Sequence, residues 1–233
     1  MREKRALIWT GILVFALLGC GESEEAVTAE NVENAITEEV ERQTGKKAST
    51  DETPCEVLDD ELIRAHFEIA EGIEIRRSPS KYSPHPLCTV TWDKPNAEEL
   101  EQKRTEMMME RMQARMRGEE VEGSMIRSTN EVSLTLYEPT FDSADDARSS
   151  FDSSMNRLQE GFSASHEDVE MTFQADLDPV EGVGDKAMWA AKMHQLSVVD
   201  GNQIFHVTVN TGAELDQDLE KAKEIARDVA KKL

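Results

Sequence analysis

Positive charge is scarce in this chain. Its 233 residues carry 26 Lys+Arg against 48 Asp+Glu, a formal net charge of −22. That balance excludes nucleic acid as a partner, because a phosphate backbone demands a basic footprint. It favours solubility and repels anionic headgroups. Long apolar runs are also missing. The apolar stretch at residues 6–18 is uncharged but falls short of the ~20 residues that span a bilayer. Catalytic signatures are absent: there is no G-x-S-x-G, H-E-x-x-H or C-x-x-C. Carboxylates are so frequent that no pair of them nominates a catalyst. Gly182-x-Gly184 stands alone with no helix pattern after it, so it reads as a turn and not as a phosphate cradle.

What is present begins at the amino terminus. Arg2, Lys4 and Arg5 precede the apolar stretch, the shape of a secretory signal. Leu17-Leu18-Gly19-Cys20 resembles the lipobox of bacterial lipoproteins. The resemblance implies that the Cys20 thiol is acylated by a diacylglyceryl (palmitate-type) group and that residues 1–19 are cut away. The new amino terminus would then take a further chain. One acyl chain anchors marginally and two or more hold firmly. The expected location is the cell envelope, lipid-anchored, with the domain outside the cytoplasm. Gly21 in place of Asp resembles the pattern released toward an outer membrane, with the domain facing a periplasm. Arg2, Glu3, Lys4 and Arg5 sum to +2, so their removal takes the net charge from −22 to −24.

With Cys20 lipidated, Cys55 and Cys88 remain as an even pair in an exported domain, and a disulfide is expected. It would close a loop of about 33 residues and contribute about 3–4 kcal/mol. Residues 20–54 form the lipidated Cys and an acidic tether without aromatic residues, too poor in apolar surface to fold alone. Within it, residues 24–42 carry Val27, Val32, Ile36 and Val40 at near-helical spacing. Residues 55–233 form one domain, with a helical insertion at about 96–125.

Periodicity predicts helices at 59–70, 97–117, 143–160 and 213–233. It predicts strands at 73–77, 87–92, 131–137, 169–173, 186–191, 194–199 and 203–210. Asn96 and Ser143 are the expected N-caps, and Gly161 the stop of the third helix. Asp200-Gly201 reads as a type I′ turn that sets Val199 opposite Asn202, with Leu196, Val198, Phe205 and Val207 on one face. The fold class is α/β in the broad sense (α+β): a mainly antiparallel sheet packed with helices, a compact α/β sandwich.

Three stretches also occur together: Pro54-Cys55-Glu56-Val57-Leu58-Asp59, Leu87-Cys88-Thr89-Val90-Thr91-Trp92, and Val183-Gly184-Asp185-Lys186-Ala187-Met188-Trp189. They resemble a family of small exported bacterial lipoproteins of uncharacterised function. In that family a Cys pair joins the first helix to a strand, and a G-(I/V)-G-D-x-A-x-W turn leads into the last strands. The likeness spans about residues 55–233, except 96–125. It implies the sandwich fold and carries no activity and no site residues.

Met108, Met109, Met112 and Met116 share an arc of about 100° on the predicted second helix, with a row of Arg104, Arg111 and Arg115 beside it. Thioethers select Cu(I), yet no Cys or nearby His reinforces the set. The expected use of the arc is apolar packing, within the domain or against a partner, since Met fills irregular gaps. The Arg row is expected to meet the protein's own acidic surface, a partner or anionic lipid. The five histidines, His66, His85, His166, His194 and His206, read as surface or partly packed. Asp176, Asp178, Glu181 and Asp185 lack the spacing of a Ca²⁺ loop. No cofactor and no resident metal are expected. The function expected is a non-catalytic binding or structural role in the envelope, the membrane met through Cys20 and an envelope protein as a further partner. Copper handling by the Met-rich helix and an uncharacterised hydrolase are the alternatives.

Overall fold

The computed structural model describes residues 51, 53–80, 83–119, 126–137, 140–166 and 169–233. In chain order these form α1 (Thr53–Val57), α2 (Asp60–His66), β1 (Arg76–Pro79), β2 (Leu87–Asp93), α3 (Ala97–Met116), β3 (Thr129–Leu136) and α4 (Ala144–Glu160). Then come β4 (Phe162–His166), β5 (Val169–Phe173), β6 (Leu177–Val180), β7 (Lys186–Ala190), β8 (Gln195–Asp200), β9 (Gln203–Asn210) and α5 (Leu215–Lys232). Seven strands make one sheet in the order β1-β2-β3-β9-β8-β7-β6, and β4 and β5 pair separately. Every pairing is antiparallel. The α+β expectation holds. Among the described residues no helix is long and apolar enough to cross a membrane. Cys20, the tether and part of the 96–125 insertion lie outside the described residues.

Helices cover both faces of the sheet, and the strands record it. On one face Val90, Trp92, Val132, Leu134, Leu196, Val198, Phe205 and Val207 meet Ala222, Ile225, Ala226 and Val229 of α5, with Val57, Leu58, Leu62 and Ile63 from α1 and α2. On the other, Ala147, Phe151 and Met155 of α4 cover Leu177, Ala190, Val199 and Ile204. The middle of β8 and β9 is therefore buried on both sides. β2 alternates strictly, because α4 does not reach it. Its second face carries hydroxyls instead, with Thr89 Oγ1 3.1 Å from Ser133 Oγ.

The disulfide joins Cys55 of α1 to Cys88 of β2 as expected, 33 positions apart. Asp59 caps α2 by accepting from the Leu62 N–H at 2.8 Å. Near the carboxyl end, Lys232 Nζ donates to the Val57 carbonyl and to Asp59. That hydrogen bond holds the Asp59 carboxyl below its usual range.

The G-V-G-D turn has a structural explanation. Gly184 sits at φ +55°, where a Cβ would lie 2.7 Å from both Val198 Cγ1 and the Val199 carbonyl oxygen. Only glycine fits so close an approach. The next residue, Asp185, donates its N–H to Val199 O and accepts from Gly201 N–H at the following turn. The Gly182 carbonyl accepts from Arg227 of α5 at 2.9 Å. The turn thus ties β7, the last hairpin and the last helix together.

Several sequence expectations are corrected. The first strand lies at Arg76–Pro79, later than residues 73–77. The helix expected over residues 59–70 stops at His66. Neither β4 nor β6 is anticipated, and α1 forms its own short helix. The last hairpin turns on Gly201-Asn202, with Asp200 opposite Gln203 and Val199 opposite Ile204. The register differs by two residues, so the faces are preserved. Ser143 caps α4 through the Asp146 N–H at 3.1 Å, whereas Asn96 makes no side-chain cap bond.

Candidate functional site

A groove of about 650 Å³ opens between the amino-terminal half of α5 and the ends of β2, β3 and β9. Its floor is aromatic. Phe67 and Trp92 pack with ring centroids 4.8 Å apart, and Phe67 is placed there because α2 ends at His66 and the chain turns extended. Asn130 fixes Trp92. With its amide oriented to satisfy both ends, the oxygen accepts from Trp92 Nε1 at 2.9 Å and the nitrogen donates to the Thr211 carbonyl at 3.3 Å.

Its wall is acidic. Glu68, Asp216, Asp218, Glu220 and Glu224 line the groove against one ammonium, Lys221. Carboxylates in the first turns of a helix suit its dipole, which is why the sequence tolerates them on α5. Lys221 lies 6.0 Å from the Phe67 centroid and 3.0 Å from Glu224. That bond, with His66 beside it, holds the Glu224 carboxyl below its usual range.

Asp218 is the buried member, 1% exposed. A carboxylate out of water needs donors, and it has them. His194 Nδ1 lies 3.0 Å from one oxygen, and Thr211 Oγ1 donates to the other at 2.6 Å. His194 is held at φ +51°, the left-handed region that non-glycine residues seldom occupy. Lys94 feels Asp218 as well. Burial pushes its ammonium below the usual range, and the Asp218 charge opposes that push.

The Met-rich helix lies apart from this groove. Its inner stripe is Leu100, Met107 and Ala114, of which Ala114 alone is buried. Met108, Met109, Met112 and Met116 are 55%, 54%, 57% and 74% exposed, because their arc is turned roughly 150° from that stripe. The expectation of packing within the domain is thus overturned for all four. In the Arg row, Arg104 is half-buried and pairs with Glu101 on its own helix. Its Nε is buried, with no hydrogen-bond partner among the described residues. Arg111 is half-buried and Arg115 exposed. The row therefore meets the protein's own acidic surface at Arg104.

The histidines divide. His66 reaches Asp228 at 2.9 Å and Glu224 at 3.5 Å. His206 contradicts the surface reading: it is buried, its Nδ1 has no partner among the described residues, and burial lowers its pKa to about 4, with His85 adding to the shift. Tyr137 stacks on His85 and meets His206 edge-on. Among the described residues no three His, Cys, Asp or Glu side chains converge as for a metal ion. Asp176 pairs with Lys192, and Asp185 serves the turn.

Sequence reading missed the groove because its residues come from four separate stretches. The one local signal was the excess of acid at the start of the last helix. The chain matches no family model, no curated protein and no solved structure.

Proposed function

We propose that the chain is a lipid-anchored envelope protein, held through acylated Cys20, whose extracytoplasmic domain is a non-catalytic binding module for a positively charged partner. The lipobox likeness, and the family likeness of the Cys pair and the G-V-G-D turn, support the anchored reading. So does the Cys55–Cys88 disulfide, since such bonds persist in oxidising compartments. In a bacterium with an outer membrane, the domain faces the periplasm. The observation that carries the binding role is the groove, five carboxylates around an aromatic floor. Such a lining suits an ammonium or guanidinium group, attracted by charge and by the ring faces. An envelope protein presenting basic side chains fits it.

The anchor is tested by Cys20→Ala. The variant should lose radiolabelled palmitate and leave the membrane fraction, and retention of both would sink the anchored reading. The groove is tested by titrating an oligo-arginine peptide and an oligo-glutamate peptide of equal length. The basic peptide should bind, with affinity weakening as salt rises. Binding should fall about tenfold in Asp216→Asn/Glu220→Gln, about 1.4 kcal/mol. Equal binding of both peptides, or no change in the variant, overturns the proposal.

A second reading, Cu(I) handling, is favoured by one observation: Met108, Met112 and Met116 stand exposed on successive turns. It predicts Cu(I) binding that disappears in Met108→Leu/Met112→Leu/Met116→Leu, and unchanged binding there excludes it.

A further inference from the structure

The groove already holds a cation of its own, Lys221. Resting on the binding role proposed above, we infer that the groove selects arginine over lysine side chains of its partner, and that Lys221 is the resident a ligand displaces. Lys221 Nζ stands 6.0 Å from the Phe67 centroid and 3.0 Å from Glu224. It thus makes the two contacts the groove offers an incoming cation, a ring face and a carboxylate. The seat is fixed. The Phe67 ring meets Trp92 with centroids 4.8 Å apart and planes at 53°, and Asn130 holds Trp92 in turn. The resident is not fixed: the Lys221 side chain is 40% exposed on a flexible four-carbon stem. The wall does not suit a metal ion, since among the described residues no three His, Cys, Asp or Glu side chains converge.

The exchange sets the selectivity. A ligand lysine entering the seat replaces one ammonium by another. It sheds the same hydration and gains the same ring and carboxylate, so the exchange is close to neutral. A guanidinium gains. Its planar fork takes a carboxylate through two parallel N–H bonds. It stacks on a ring face and is more weakly hydrated than an ammonium. Glu224, also met by His66 at 3.5 Å, then passes from Lys221 to the ligand, and Lys221 swings into water. Glu68 and Asp216 keep the surroundings negative. Glu220 is held by Lys223 at 2.7 Å, and Asp218 takes no part, since His194 and Thr211 already satisfy it.

The full-length protein in detergent micelles is titrated with end-blocked oligo-arginine, oligo-lysine and oligo-glutamate peptides of equal length. Oligo-arginine should bind about tenfold more tightly than oligo-lysine. Lys221→Met leaves no resident to displace and should tighten both basic peptides about fivefold. Lys221→Arg keeps the charge and installs a better resident, so it should weaken both about fivefold. Equal affinity of the two basic peptides in the parent protein overturns the selection, and leaves the groove reading standing where both outbind oligo-glutamate. Binding in Lys221→Arg equal to the parent overturns the displacement, because charge alone then decides. If neither basic peptide outbinds oligo-glutamate, the inference and the groove reading fall together.

Discussion

At residue scale, the buried His206 couples stability to pH. Its folded pKa of about 4 lies below the ordinary 6.5. Between those values the unfolded chain binds more protons than the folded one. Stability is therefore fully present above pH 6.5 and is lost as pH falls toward 4. The loss should reach about 3 kcal/mol. The carboxyls held low by cationic partners, Asp59, Asp93, Glu224 and Asp228, act in a lower window. Urea titrations from pH 7 down to about 4.5 should thus show a slope that His206→Leu removes. An unchanged slope in that variant would contradict the assignment. Gly184 gives the second prediction at this scale. An added methyl meets Val198 and the Val199 carbonyl at 2.7 Å with φ positive, so Gly184→Ala should cost about 2–4 kcal/mol in thermal or chemical unfolding. Neither property was readable beforehand. Alternation placed His206 on the far side of its strand, and only the fold brings Tyr137, stacked on His85, against it there.

At the scale of elements, a paired substitution separates a cap made by a side chain from one that is only well placed in sequence. Ser143→Ala removes an acceptor for the Asp146 N–H and should cost about 1 kcal/mol. Asn96→Ala removes no cap bond and should stay within about 0.5 kcal/mol. Equal costs would mean that Asn96 caps α3 in solution. The helices were the most legible part of the sequence. α3, α4 and α5 each carry a periodic stripe, acidic residues in the first turn and basic ones in the last. Short strands were less so. β6, four residues long with one buried side chain, has no alternation to find. The hairpin register slipped by two because Asp-Gly and Gly-Asn are both acceptable two-residue turns, and the side-chain pattern is identical after a shift of two. Leu215 and Leu233 extend the stripe of α5 in sequence yet are exposed.

At the scale of the whole molecule, stability and recognition draw on different parts. The core is built from both sheet faces, while the groove is assembled from segments far apart in the chain and could not be foreseen from any one of them. The disulfide closes 33 positions, so Cys55→Ser/Cys88→Ser should lose about 3–4 kcal/mol in chemical unfolding while leaving the sheet's circular dichroism in place below the transition. A loss near zero would show that α1 and β2 are already held together without it, through the core contacts of Val57 and Leu58.

That same bond also sets where a mechanical load would travel. Any pull on the chain ahead of Thr53 enters the fold at α1, and two residues later it meets Cys55. From there the tension passes covalently to Cys88 in β2, a strand hydrogen-bonded on both sides by β1 and β3. A pull entering there therefore does not unwind the first helix and peel the domain from its end. It loads an interior strand that is hydrogen-bonded to two neighbours, so that the bonds of both pairings share the strain. A load applied at the amino-terminal side thus grips the domain by its middle.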